Sequence, residues 1–194
     1  MAGNGGPLAG TRLSRAFVIA SVTAALKSLL EGAAAAHGLP ESIRAALVVS
    51  ALPPDRVPLD GSDARPRLNL FLHRVAYDTS LRNLPLRPRD AATAHASRPP
   101  LAVHLHYLVT AYGTAELQAE LLLGYAMVVL NENAVLSSEL IRRAGQPVGL
   151  TDPLGPLQLV LHSPDGEEMS RLWCALQARY RPTLACEVRV PRIE

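Results

Sequence analysis

The chain is short of the residues that most catalytic, metal or nucleic-acid functions need. Only Cys174 and Cys186 are cysteines among its 194 residues. Two thiols make no disulfide framework, and a reduced intracellular setting is the simpler reading. Of its 19 basic residues only Lys27 is a lysine, and aromatics are 4%. With a net charge of +2 and a pI near 8.7, the basic stripe interleaved with aromatics that marks nucleic-acid binding is missing. No run reaches the ~18 apolar residues of a membrane-spanning helix, so no membrane insertion is expected. No Gly-rich phosphate loop and no Gly-x-Ser-x-Gly elbow occurs, which leaves no cofactor to expect and argues against an enzyme.

What the chain does have is apolar residues, 48% of the total. A chain this long buries roughly 70% of the surface it exposes when unfolded, which is enough for one domain with a workable core. Residues 1–10 hold four glycines and a proline and read as a flexible arm, with residues 11–194 forming a single domain. The run after Arg12 and Arg15 could pass for a signal-peptide core. At about 100° per residue, however, Ile19, Val22, Leu26, Leu29, Leu30 and Ala33 share one arc, as on an amphipathic helix. That helix is expected over about Arg12–Ala36, stopped by His37-Gly38. Phe17 lies on its polar side, where it would cover the arm or meet a partner.

Ile43–Leu52 reads as a buried strand ending at Pro53-Pro54. Clean alternation predicts strands at Leu68–Tyr77, Leu101–Tyr112, Leu157–His162 and Thr183–Arg192. On the last of these, Leu184, Cys186, Val188 and Val190 point inward, with Glu187 and Arg189 outward. Thr114 is a plausible N-cap for a helix over about Ala115–Leu130. This helix is apolar on nearly every side, Tyr125 included, so burial is expected on more than one face, one of them against a neighbouring subunit. Short helices are expected over 134–144, ending in Arg142-Arg143, and over Asp165–Gln177, where Trp173 and Cys174 read as core. The fold class is α+β: a mixed, mostly antiparallel sheet of four to five strands with three to four helices.

Two features carry possible function. His104 and His106, two apart on a strand, point the same way and could share a metal. No Cys, Asp or third His stands at a local spacing to close such a site, so they read as solvated or hydrogen-bonded strand histidines, which His73 would face if the strands pair. The second feature is the connection 78–98, longer than structureless loops usually run. It carries Arg82, Arg87, Arg89 and Arg98 with Pro85 and Pro88. Prolines stiffen such a loop, and arginine suits interfaces through bidentate pairing with carboxylates.

Several stretches in order resemble one family. They are Arg67-Leu-Asn-Leu-Phe-Leu-His-Arg-Val75 with Leu81-Arg-Asn83, Pro99-Pro-Leu-Ala-Val-His-Leu-His-Tyr-Leu-Val-Thr-Ala-Tyr-Gly113, and Met169-Ser-Arg-Leu-Trp-Cys-Ala-Leu-Gln-Ala-Arg-Tyr-Arg-Pro182 with the strand after it. Together they look like the N-terminal domain of cap, or tail-terminator, proteins of contractile injection systems, from about residue 12 to 194. The resemblance implies a non-enzymatic structural subunit in a homo-oligomeric ring, a hexamer. Such a ring closes the baseplate-distal end of inner tube and sheath, stops polymerisation and anchors the last sheath ring. Its partners would be itself, sheath and tube, with assembly in the cytoplasm of the producing cell. Interface candidates are Phe17, Arg82, Asn83, Arg87, Arg89, Arg98, Tyr125, Arg142 and Arg143. Alternatives of other classes are an adaptor linking the particle to a membrane or cargo, and a small hydrolase relying on His104 or His106.

Overall fold

Four long strands with period-two alternation build the centre of the molecule. The structure is a computed structural model and describes residues 17–59, 64–78, 101–149 and 154–193. The helix α1 (Val18–Gly32) is followed by the one-turn α2 (Glu41–Arg44), β1 (Val48–Ser50), β2 (Arg67–Tyr77) and β3 (Leu101–Tyr112). Next come α3 (Gln118–Glu132), β4 (Val135–Leu136), α4 (Ser138–Gly145), β5 (Leu157–His162), α5 (Gly166–Ala175) and β6 (Thr183–Ile193). The six strands form one sheet in the order β1-β2-β3-β6-β5-β4. β1 runs parallel to β2, and the other pairs are antiparallel. This is the α+β arrangement expected, with six strands rather than four or five.

One face of the sheet is apolar and lies under α1, α3 and α4. Leu68, Leu70, Val103, Leu105, Tyr107, Val109, Cys186, Val188 and Val190 are buried there against Val22, Leu26, Leu30, Leu122, Ala126, Val129 and Ile141. Burial of such side chains contributes about 1.5–3 kcal/mol each before entropy is counted. Two hydroxyls in this layer are satisfied across elements: Tyr107 bonds Thr23 at 2.9 Å, and Tyr125 donates to the Leu30 carbonyl. Burial raises the Tyr107 phenol above its ordinary range, pushes Tyr125 up to about 12, and pushes the Cys186 thiol up to about 12. The far face carries a smaller apolar cluster, where Met169 and Trp173 of α5 cover Leu108 and Ala185.

Local chemistry explains where the elements depart from expectation. The stretch 43–52 is not one strand, because Pro40 opens a helical turn at Glu41 and only Val48–Ser50 pairs with β2. Asn69 then fixes the exit of β1, accepting from Ser50 Oγ at 2.7 Å and Leu52 N at 3.0 Å, and donating to Leu52 O at 2.8 Å. Thr114 does not cap α3. Its backbone N–H and hydroxyl donate to Gln118 Oε1, and the helix starts at Gln118 after Leu117 in the left-handed region at φ 62°. Glycine is required at Gly113, where a Cβ would come within 2.8 Å of Ala119 N. Cys174, read as core, is exposed, because the inward face of α5 belongs to Met169 and Trp173. Gly38, at φ 67°, ends the turns after α1 as His37-Gly38 predicts.

Candidate functional site

The open part of the far face holds a buried carboxylate ringed by imidazoles. Strand register places Glu187 of β6 opposite His106 of β3 and Val160 of β5, and places Arg189 opposite His104 and Gln158. β2 adds Arg74 opposite His106. A register shift between Leu72 and Arg74 adds His73 as an extra residue, and its ring meets that of His106 edge-on at 6.2 Å. Alternation alone sends Glu187 to this face, as the sequence predicts. Outward does not mean exposed here: Glu187 is 6% exposed.

Glu187 is held from several sides. Arg189 Nε donates to its Oε1 at 2.7 Å. His104 Nδ1 lies 3.3 Å from Oε1, and His162 Nε2 lies 3.3 Å from Oε2. His106 Nδ1 stands at 3.8 Å, and His104 Nε2 reaches Asp78 at 3.4 Å on its other side. Desolvation pushes the Glu187 carboxyl up, but the Arg189 bond and the histidines outweigh it and the net shift is downward. Desolvation dominates for His106 and His73 and lowers both, with Arg74 adding to it; Glu187 opposes the shift at His106, and Glu168 opposes it at His73. The residues are therefore arranged to keep one anion, Glu187, ionised beside Arg189.

Beside the cluster lies a cavity of about 250 Å³, bordered by His73, Arg74, His106, His162, Glu168 and Met169. His104 and His106 serve Glu187, and among the described residues no group of three or more His, Cys, Asp or Glu is placed to hold a metal ion. A carboxylate already bonded to an arginine and flanked by histidines is a weak base, and these contacts link β3, β5 and β6 around one charge. Only the bulge and the strand register bring these groups together. The sequence shows the individual histidines but not their common partner.

The second distinctive surface is on α3. Its inward face buries Leu122, Tyr125, Ala126, Val129 and Leu130. Its outward face leaves Leu117, Leu121, Met127 and Val128 exposed, and Val135 follows on β4. Among the described residues only one face of this helix is covered, and they leave the second apolar face expected from the sequence exposed.

The remaining site residues from the sequence fall in three places. Arg82, Asn83, Arg87, Arg89 and Arg98 lie outside the described residues. Tyr125 packs in the core, 7% exposed with its hydroxyl on Leu30. Phe17 is half-buried, its ring over Gly149, where a Cβ would meet it at 3.2 Å. Arg142 is exposed and paired with Glu139 one turn away at 2.7 Å, and Arg143 beside it is exposed. Among the described residues no helix is long and apolar enough to cross a membrane.

Comparison with known proteins agrees with this fold. A solved structure of an extracellular contractile injection system, the PVC sheath/tube terminator in its extended state, superposes with a TM-score of 0.54 at 20% identity. The match covers 90% of this chain and 56% of that one. The anti-feeding prophage cap, a tube-terminating cap, matches with a TM-score of 0.49 at 19% identity, over 81% of this chain and 53% of that one. The chain thus spans about half the length of the solved structures it matches. No curated protein matches. The Pvc16 N-terminal domain model matches residues 21–194, from within α1 to the end of the chain, and the protein belongs to that family.

Proposed function

We propose that this protein is a structural, non-enzymatic tail-terminator subunit. In this reading it assembles as a homo-hexameric ring, closes the baseplate-distal end of the inner tube and sheath, halts polymerisation and anchors the last sheath ring. It assembles in the cytoplasm of the producing cell and leaves with the particle. The observation that carries the reading is membership of the Pvc16 N-terminal domain family over residues 21–194. The fold likeness to a sheath/tube terminator across 90% of the chain accords with it. So does the outward face of α3, where Leu117, Leu121 and Val128 are exposed on a helix made for contact on two sides. A closed ring needs complementary surfaces on each subunit, and a terminal ring presents nothing for the next layer to bind.

Gold-labelling of a tagged chain on purified particles tests the proposal. Label is expected at one end only, and deletion is expected to give sheaths of uncontrolled length or unstable particles. Wild-type sheath lengths in the deletion strain, or label along the whole sheath, would overturn it.

A further inference from the structure

The two ends of the far face of the sheet treat buried charge differently. At one end the carboxylate of Glu187 has Arg189 and histidines around it. At the other, Arg67 is almost as deeply buried, 7% exposed, and has no ion pair among the described residues. Alternation with the core residues Leu68 and Leu70 sends Arg67 to the far face, and strand register sets it directly opposite Tyr112 of β3. Among the described residues nothing accepts a hydrogen bond from Arg67 Nε, and the buried Tyr112 hydroxyl is also without a partner. A guanidinium cannot shed its proton to escape the cost of burial, so a buried arginine is ordinarily paired.

A second arginine closes on the same place. Thr183 Oγ1 donates to the Arg181 carbonyl at 2.9 Å and bonds Thr110 Oγ1 at 3.2 Å, which holds the entry to β6 beside β3. Arg181 then lies over the Tyr112 ring, its guanidinium carbon 4.8 Å from the ring centroid. Burial raises the Tyr112 phenol, and Arg181 and Arg67 both oppose that rise. Arg65 and Arg179, each two residues before one of these arginines, are exposed. Arg44, Arg142, Arg171 and Arg189 all have carboxylate partners. None of the four arginines at this end of the sheet has one among the described residues.

Such a place offers cationic donors without an acceptor, and the ligand that suits it is an oxyanion. We propose that Arg67, Tyr112 and Arg181 bind a carboxylate carried on an Asp or Glu side chain of another protein. The oxygens of a carboxylate match the edge of a guanidinium and leave a lone pair for the phenol. Phosphate fits less well, because its nearly double charge at neutral pH makes its desolvation costlier. The exposed rim of Arg65, Arg179 and Tyr180 offers a flanking polypeptide contacts that a small free carboxylate does not use. The site calls for such a partner whether or not the chain forms the ring proposed above.

Thermal melting of the full-length chain tests it. Acetate replaces chloride at constant ionic strength, and a parallel titration uses a blocked glycine–glutamate peptide with its glycine–glutamine counterpart as control. Acetate and the glutamate peptide should each raise the melting temperature, as a ligand of the folded state does. The peptide should reach a given rise at about tenfold lower concentration, because it also meets the rim. Tyr112→Phe keeps the ring and should raise the concentration needed about threefold. Arg67→Met should abolish the response, yet melt no lower than the wild type without ligand, since it removes an uncompensated buried charge. If that variant fails to fold, Arg181→Gln at its half-buried position carries the test and should weaken the response by a similar factor. No rise with either ligand, an equal rise in every variant, or acetate as effective as the peptide would overturn the site. So would a response that appears only when Asp60 and Asp63, which precede Arg67 in the sequence and lie outside the described residues, are changed to Asn. The carboxylate would then come from the chain itself.

Discussion

On β6, Cys186 and Val188 turn under the helices, while Glu187 between them turns to the opposite face and is almost as deeply buried. The two faces of this sheet are excluded from water by different means. On the helix side, Leu105, Tyr107 and Val188 are sealed by packing against α1 and α3. On the far side, Met169 and Trp173 of α5 cover Leu108 and Ala185, and beside them Glu187 is held by Arg189, His104 and His162. Packing is indifferent to pH and to which apolar side chain does it, within limits of volume. A buried ion cluster is sensitive to both, because removing one member leaves the others uncompensated. The contrast yields predictions of graded size.

The largest effect belongs to the packed face. Leu105→Ala should cost about 2–5 kcal/mol, since Leu105 is fully buried in the middle of the sheet and the gap cannot collapse. Urea unfolding should show the midpoint falling with an unchanged slope. A loss below about 1 kcal/mol would mean that the helix layer is looser than described.

The ion cluster should be next. Glu187→Gln keeps shape but strands Arg189 and leaves the histidines without their common acceptor, for a loss of about 1–3 kcal/mol at neutral pH. The same melt should separate this change from Arg142→Ala, which removes an exposed, solvent-screened pair to Glu139 and should leave the melting temperature nearly unchanged. Equal losses in the two variants would erase the distinction between buried and exposed charge here.

The pH dependence sharpens the comparison. His73 and His106 titrate below 6.5 in the folded chain, so the unfolded chain binds protons first as pH falls, and stability declines from about 6.5 downward. The depressed Glu187 carboxyl acts in the same direction lower down. Its contribution is present above about 4.5 and is lost as pH drops through its folded value. The groups that face these three are Arg74, Arg189, Asp78, Glu168, His104 and His162. Melting temperature should be flat above pH 7 and fall steadily below 6.5, and His106→Asn should flatten the upper part of that fall. A melting temperature that rises between pH 7 and 5.5 would contradict the sign.

These differences also mark what the sequence made readable. β2, β3, β5 and β6 alternate over six to twelve residues, and their faces followed from that period. β1 and β4 have three and two residues, too few to alternate, so one was overextended and the other was absorbed into a helix. Alternation puts Glu187 on the correct, outward face but not its burial there, because its partners come from two other strands, β3 and β5, whose register no local pattern announces. The start of α3 was misplaced because a Thr after Gly looks like a cap, whereas here the glutamine four residues on accepts the bonds. α3 is apolar all round, so periodicity cannot tell its inside from its outside, and the structure turns Tyr125, an interface candidate from the sequence, toward the core.

The smallest predicted change concerns that same helix and has the opposite sign. Gly124→Ala adds a methyl where the chain offers open space, on an exposed helical position that pays for glycine in backbone entropy. It should raise stability by about 0.5–1 kcal/mol, or about 1–4 °C in melting temperature for a chain of this size. Leu105→Ala and Gly124→Ala thus leave the same small side chain on the two sides of one structural layer, with opposite consequences. If Gly124→Ala destabilised the isolated chain, glycine would be serving the monomer's own packing, and its presence would no longer point outward. If it stabilises the chain while slowing assembly, the glycine is kept for contact at the expense of the fold.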